Sequence, residues 1–452
     1  MTEGTGTLDR PQDAGLRRER RGWYFYDWAT SVFSTSVVTV FLAPYLTEIA
    51  EAAADGTGNV HPLGIAVPPG SFFTYVLSFS TLVQVVFLPI MGAIADRTQR
   101  KRQMLGIFAY IGAVATMGLF FVAGDRYLLG AGLFVLANVA YGSSIVIYYS
   151  FLPEIAGPDE RDDVSSRGWA FGYLGGGVLL ALNLALFLNA EALGLSDGTA
   201  VRVCLLSAGG WWALFAIVPL TRLREHQPRQ GRERGAQALT AGFRQLGHTF
   251  RDMRKYPKTL LFLGAFLLYN DGIQTAAAVA GQYGERELGL ERSVLISAIL
   301  LVQFVAFAGA VLMGRIARVY GAKRTVLGSL GVWVGVLVMA YFLSEGQALQ
   351  FYLLGVVLGL VLGGSQALSR SMFSQLIPAG KEAEYFSLYE MSDRGTSWLG
   401  PFLFGLTFQL TGSYRYAIIS LVIFFVLGAL ILAFVPMRRA ITEAGNIAPE
   451  KV

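Results

Sequence analysis

The sequence is poor in the side chains from which most catalytic and metal sites are built. A single cysteine, Cys204, excludes an internal disulfide. The three histidines, His61, His226 and His248, lie far apart and outside the apolar runs, which leaves no cluster of the kind zinc needs. No Gly-x-x-x-x-Gly-Lys-Ser/Thr segment occurs, which argues against an ATP-driven pump. Gly175-Gly176-Gly177 sits inside an apolar run rather than between a strand and a helix, so it is no phosphate loop. We therefore expect neither an enzyme nor a cofactor or metal. Charge is scarce too: 15% of residues are Asp, Glu, Lys or Arg, against about 25% in soluble domains.

What is plentiful is apolar surface. Hydrophobic residues make up 54% of the 452-residue chain, and they gather in long runs. Twelve can be drawn, over 22–49, 71–95, 104–123, 128–152, 169–190, 201–220, 259–281, 293–314, 325–343, 350–372, 394–411 and 416–435. As helices rising 1.5 Å per residue, such runs cross about 30 Å of hydrocarbon. Ala50-Glu51-Ala52 has the look of a signal cleavage site, but the run before it far exceeds a signal's apolar core of about 7–15 residues. It is read as a retained span. The 53 glycines fit a bundle whose helices approach closely in lipid.

The basic residues set the expected topology. Of 36 Lys and Arg, 29 fall on one side: the N-tail, the 96–103 turn, Arg161 and Arg167, the 221–258 segment, the 315–324 turn, Lys381 and the C-tail. Only Arg126, Arg202, Arg286, Arg292 and Arg415 fall on the other, and Arg370 and Arg394 sit at span ends. The positive-inside rule then places both termini in the cytoplasm of a multi-pass cell-membrane protein. It also accounts for the net charge of +5 without nucleic acid. The basic 221–258 segment reads as a cytoplasmic linker against an acidic lipid face. It divides a bundle over 22–220 from one over 259–436, flanked by tails at 1–21 and 437–452.

Two halves invite a search for repeats. Gly92-Ala-Ile-Ala-Asp96-Arg97-Thr-Gln-Arg100-Lys101-Arg102 follows the second run and Gly314-Arg-Ile-Ala-Arg318-Val-Tyr-Gly-Ala-Lys323-Arg324 the eighth. Gly, Ile, Ala, Lys and Arg recur in register. Leu152-Pro153-Glu154 before Ser166-Arg167-Gly168 is echoed by Ile377-Pro378 before Asp393-Arg394-Gly395, and Tyr26-Asp27 by Tyr269-Asn270-Asp271. Three matches in one order, each six runs apart, point to a duplicated six-helix unit. The expected fold is an all-α integral membrane protein of twelve transmembrane helices in two pseudo-symmetric six-helix bundles, with substrate held between them near the midplane.

The 92–102 turn resembles the loop signature of the major facilitator superfamily, with Gln99 where that pattern has glycine and, in the second copy, Arg318 in place of the aspartate. Within the superfamily the chain is similar to the branch of fungal vacuolar amino-acid effluxers. The segments that carry this are Tyr26-Asp27-Trp28-Ala29-Thr30-Ser31 (Thr30 standing where the family has asparagine), Leu152-Pro153-Glu154, Arg167 to Tyr173, Tyr269-Asn270-Asp271-Gly272, Gly364 to Ser371, and Gly400-Pro401. The resemblance spans nearly all of 22–436. It implies a twelve-helix secondary transporter of a small solute, with amino acids as a candidate class, proton as a candidate coupling ion, and a monomer working by alternating access.

An ionisable group within a span costs about 2.5–3.5 kcal/mol to insert, so each is a functional candidate. Asp271, roughly twelve residues into its run beside Asn270 and Gln274, is the leading proton site; a structural ion pair with an arginine is the competing reading. Asp27 lies a few residues inside its span, where an interfacial cap is as good a reading as a substrate contact. The superfamily resemblance puts the first, fourth, seventh and tenth spans around the cavity, which adds Asn138, Tyr141 and Gln366 as candidate substrate contacts. Simple interhelical hydrogen bonding competes for each, as it does for Asn183 and Gln303. Gate candidates are Asp96, Arg97, Arg167, Arg370, Asp393 and Arg394. The arginines would pair with Asp27, Glu154 or Asp393 in one conformation only, and Asp96 would sit on the N-terminus of the eleventh span. Snorkelling to lipid phosphate is their bland alternative. A non-transporting sensor or scaffold that keeps the fold is the second reading of the whole chain, and it has no need of a titrating carboxylate in mid-membrane.

Overall fold

A computed structural model describes residues 11–98, 100–225, 253–396 and 398–452. Most of the 221–258 linker, with His226 and His248, lies outside these residues, as do Gln99 and the first ten residues of the N-tail. Among the described residues the chain is helical apart from short turns and one isolated bridge between Val60 and Val67.

Among the described residues, ten helices are long and apolar enough to cross a membrane: Ala14–Ala52, Pro69–Arg97, Lys101–Phe121, Tyr127–Ile155, Arg161–Leu188, Asp197–Arg222, Ser293–Tyr320, Ala322–Tyr341, Ala348–Gln375 and Tyr414–Phe434. The other two expected runs are also helical but more polar or interrupted. Pro257–Arg286 is 30 residues long, and its hydropathy is diluted by Tyr269, Asn270, Asp271 and Gln274. The run drawn at 394–411 corresponds to two helices, Glu382–Thr396 and Leu399–Thr411. This corrects the sequence reading. The helix begins twelve residues earlier, because Glu382, Glu384 and Glu390 depress local hydropathy while facing protein rather than lipid. Glu384 and Glu390 are buried. The fifth run likewise starts at Arg161 rather than 169, which brings Asp162 and Asp163 into its first turn.

The first helix is not uniform. Pro11–Val32 passes through a π-helical stretch, Phe33–Phe41, into Leu42–Ala52. Hydroxyls there compete for backbone carbonyls: Ser31 donates to Asp27 O, Thr35 to Ser31 O and Thr39 to Ser34 O. Such back-bonding bends helices, and π-turns gather at functional sites.

Several crossings bring the N-terminal portion (to residue 225) against the C-terminal portion (from 253), and two of them occur at the repeated glycine. A Cβ at Gly92 would lie 2.5 Å from the Ala383 carbonyl oxygen, and one at Gly314 would lie 2.7 Å from the Ser166 Cβ. Only glycine allows either approach. On this same face Arg20 of the first helix meets Glu160, and the C-terminal residues reach the 157–160 loop through the Glu450 amide on Asp159. We call it the termini face.

Candidate functional site

Between the two portions lies a cavity of about 410 Å³, lined from both. The π-helical stretch contributes hydroxyls from Ser34, Thr35 and Thr39, and its neighbourhood adds Thr30, Ser31 and Thr81. These are neutral donors and acceptors on a wall that a regular helix would present differently.

The charged groups form two clusters. At the first, Tyr148 donates to Asp27 Oδ2 at 2.7 Å, and Arg370 Nη1 reaches the same oxygen at 3.3 Å. Arg370 comes from the C-terminal portion and is fully buried in the N-terminal one. Its Nε donates to Ser165 Oγ at 2.9 Å and its Nη2 to Ser165 O at 2.8 Å. The guanidinium stacks over Trp23 at 4.7 Å and Tyr149 at 4.8 Å. A charge so deep is retained only where paired and hydrogen-bonded, and every edge of this guanidinium has a partner. Of the two sequence readings of Arg370, pairing with Asp27, Glu154 or Asp393 and snorkelling to lipid phosphate, its contacts are those of the first, with Asp27.

The second cluster is on the 382–396 helix. Arg394 pairs with Glu390 one turn away at 3.3 Å, and its guanidinium lies 5.8 Å from the Tyr141 ring centre. Asn270 donates to Asp393, and Gln366 donates to Asn270. Glu390, Asp393 and Arg394 all line the cavity. Asp393 and Arg394, expected at the opening of the eleventh span, are therefore in the last turn of the 382–396 helix and at the cavity wall. Glu390 was missed. Drawing the span from 394 left it in a loop, although Glu390, Asp393 and Arg394 fall on one helical face.

The remaining candidates divide. Asn138 lines the cavity and donates to Ser80 Oγ at 2.8 Å; Tyr141, Gln274 and Gln366 line it as well. Gln303 also lines it, with a buried Nε2 that has no partner, which is what a waiting ligand contact looks like. Asn183 instead bonds to Cys204 O and Ser207, between neighbouring helices. Asp271 is not on the cavity wall. Its Oδ2 accepts the Gly400 amide at 2.7 Å, in the first turn of the 399–411 helix, and its Oδ1 is buried without a partner. Among the described residues no arginine meets it, and its contact is that of a helix cap.

The termini face carries the rest. Asp96 accepts the Ala383 and Glu384 amides at 2.9 and 2.7 Å, on the N-terminus of the 382–396 helix. Lys101 sits 3.4 Å from Asp96, 2.8 Å from Glu154 and 3.9 Å from Glu382. Arg97 is half-buried at its helix end. Arg167 is exposed and pairs with Asp163 of its own helix at 2.9 Å, so it joins no two portions; Arg318 does, meeting Asp163 at 2.6 Å. Ser371 Oγ donates to Asp162, and Arg161 Nη1 donates to Ser374 O at 3.0 Å. Outside the spans, hydrogen bonds from Arg20 hold the Glu160 carboxyl below its ordinary range.

The chain matches a family model described as vacuole effluxer Atg22 like over residues 15–445. It is 31% identical over 422 residues to YxiO, an uncharacterized MFS-type transporter of Bacillus subtilis (strain 168), covering 93% of this chain and 95% of that one. Identity to autophagy-related protein 22 of Eremothecium gossypii is 28% over 473 residues, covering 94% and 92%. Among solved structures, the proton:xylose symporter XylE superposes with a TM-score of 0.69 at 13% identity, covering 94% of this chain and 96% of that one. A bacterial homologue of the iron transporter ferroportin in its outward-facing state gives 0.66 at 14%, covering 93% and 98%. At such identities the structures speak for the fold alone, a major facilitator fold. The family model and the curated relatives go further: this multi-pass membrane protein belongs to the Atg22-like family of MFS-type transporters.

Proposed function

We propose that the chain is a twelve-helix secondary transporter in which the bundle over 22–220 rocks against that over 259–436, with both termini cytoplasmic. The carrying observation is the central cavity, which holds charges of both signs on opposing walls: Glu390, Asp393 and Arg394 from one portion, Asp27 from the other. The ties between the portions, Arg370 to Asp27 and Ser165, Asp96 to the 383–384 amides and Arg318 to Asp163, all lie on the termini side of the cavity. This geometry is that of a carrier closed toward its termini.

The solute this wall suits is a small zwitterion, an amino acid. Its carboxylate would take the Arg394 guanidinium, a fork matched to carboxylates. Its ammonium would take Glu390 or Asp393, and Gln303 and the hydroxyls of the π-helical stretch would close around the remainder. Proton coupling belongs to the same cluster. Two carboxylates share one turn with the Arg394 guanidinium, and like charges so close favour a proton on one of them or the cationic end of the solute beside it. Asp271, capping a helix away from the wall, is the lesser candidate.

Reconstitution into proteoliposomes with a panel of amino acids, with and without a pH gradient, tests this. Wild-type protein is expected to concentrate a subset of the panel when the gradient is present. Glu390→Gln is expected to lose gradient-driven uptake while keeping solute exchange, and Arg394→Gln to lose both. Uptake indifferent to Arg394→Gln would end the zwitterion reading, and a folded protein that moves nothing under any gradient would favour the sensor or scaffold.

A further inference from the structure

We propose that the groove between the 11–32 and 197–222 helices at the termini face is a binding site for one anionic phospholipid. Four arginines, Arg17, Arg18, Arg21 and Arg222, together with Ala14, line a cavity of about 450 Å³ there. Among the described residues no carboxylate lines it. Arg17, Arg18 and Arg21 are exposed, whereas Glu19, on the opposite side of the same turn, is buried. The helices are brought together by Gly22, where an added Cβ would sit 2.7 Å from the Arg222 Cβ. That approach sets the fourth arginine beside the other three. Arg17 and Arg21 also line the neighbouring cavity with Asp159, Glu160 and Asp163, and four guanidinium groups on one wall suit an anion because guanidinium groups hold phosphate oxygens in pairs.

The membrane-ward continuation of the groove is aromatic. Phe25 lies one turn below Arg21 on the first helix, and Phe215 two turns below Arg222 on the other, with ring centres 6.4 Å apart. Trp28 and Trp211 stack at 5.5 Å just beyond, and Trp211 Nε1 donates to Trp28 O at 3.2 Å, which fixes the pair. All four rings are half-buried, and Leu214 and Ile217 beside them are exposed to lipid. A phosphate seat at headgroup height above a slab of half-covered rings matches a phospholipid, phosphate on the arginines and acyl chain along the rings, better than a soluble anion, which has no use for the rings. Basic pockets between transmembrane helices are a known kind of headgroup site.

Native mass spectrometry of the full-length protein from nanodiscs of phosphatidylglycerol and phosphatidylcholine tests this independently of any transport assay. Wild-type protein is expected to retain one phosphatidylglycerol that phosphatidylcholine does not replace. The quadruple variant Arg17→Ala, Arg18→Ala, Arg21→Ala, Arg222→Ala is expected to lose it, with affinity down by more than about tenfold. A charge-matched control, Arg100→Ala, Arg315→Ala, Arg324→Ala, Arg439→Ala, removes four exposed arginines elsewhere and is expected to leave it bound. Equal loss in both variants would mean diffuse attraction and overturn the site. Displacement by millimolar inorganic phosphate would overturn the lipid assignment in favour of a free anion.

Discussion

The turns at 92–102 and 314–324 are copies of one sequence pattern, yet they fasten the two portions by different chemistry. Both place a glycine where a helix of the other portion crosses. Beyond the glycine they diverge. Asp96 has a side chain only 5% exposed and sits on two backbone amides at a helix N-terminus, where the helix dipole adds to the hydrogen bonds. Arg318 occupies the equivalent position with the opposite charge, is 54% exposed, and meets the side chain of Asp163 in the first turn of a helix. Both turns keep the steric rule that glycine imposes, while the charge differs and the partner differs with it. The difference also predicts unequal strength. A buried carboxylate on fixed amides loses two charge-assisted hydrogen bonds when removed, whereas an exposed ion pair contributes about 0–1 kcal/mol.

The largest effect is therefore expected at Asp96. Asp96→Ala removes both acceptors and leaves the 383–384 amides buried without partners, at about 1–3 kcal/mol per unsatisfied group. The closed arrangement loses that stability and the other conformation does not, so the population shifts by no more than this differential. Spin labels at positions 103 and 379 are expected to report a longer mean distance across the termini face. An unchanged distance in a well-folded Asp96→Ala protein would remove the first turn from the gate.

Next come the glycines themselves. Gly92→Ala drives a Cβ against the Ala383 carbonyl, which is backbone and cannot yield, whereas Gly314→Ala meets the Ser166 side chain, whose Oγ can rotate away although its Cβ stays. The first is expected to open the termini face more than the second by the same distance measurement. Pairing Gly314→Ala with Ser166→Gly restores room and is expected to recover the wild-type distance. Failure of that rescue would mean that the crossing at Gly314 is not what the substitution disturbs.

Much of this contrast could be read before any coordinates. Gly92 and Gly314 were in register, the Arg318 substitution was visible, and Asp96 was assigned to a helix N-terminus on the superfamily resemblance. The partners were harder to find. Hydropathy marks where lipid touches a helix, not where the helix begins. The 382–396 helix carries its charges against protein, so its start was drawn twelve residues late, and Glu390 was lost with it. The start of the 161–188 helix was missed in the same way, and with it the Arg318–Asp163 tie, which needs Asp163 on a helix. Asp271 is the complementary case: it falls midway along the 257–286 helix but off the cavity wall, and the amide it caps belongs to the separate Leu399–Thr411 helix, which the sequence pattern did not divide from the one before it. For Arg370, pairing with Asp27 could be proposed from the sequence, but the aromatic box around it could not, because that box is assembled from three other helices.

The smallest effect is expected at the second turn, and its dependence on salt separates the two copies. Arg318→Gln removes an ion pair open to water and leaves Asp163 with Arg167 one turn away on its own helix, at 2.9 Å. The loss should stay below about 1 kcal/mol. At about 0.15 M salt the screening length is near 8 Å, and near 1 M it falls to about 3 Å. The shift in the 103–379 distance caused by Arg318→Gln should therefore shrink toward nothing at high salt, because the wild-type pair is then already screened. The shift caused by Asp96→Ala should persist, since salt does not reach a carboxylate held on buried amides. The charge swap Asp163→Arg with Arg318→Asp refines this further. The reversed pair should restore only part of the small loss, because the new cation at 163 then faces Arg167 one turn away, whereas Asp96→Asn keeps one oxygen where two now serve the two amides. If Arg318→Gln instead opens the termini face as far as Asp96→Ala at every salt concentration, the two turns are equal latches, and exposure is a poor guide to their strength.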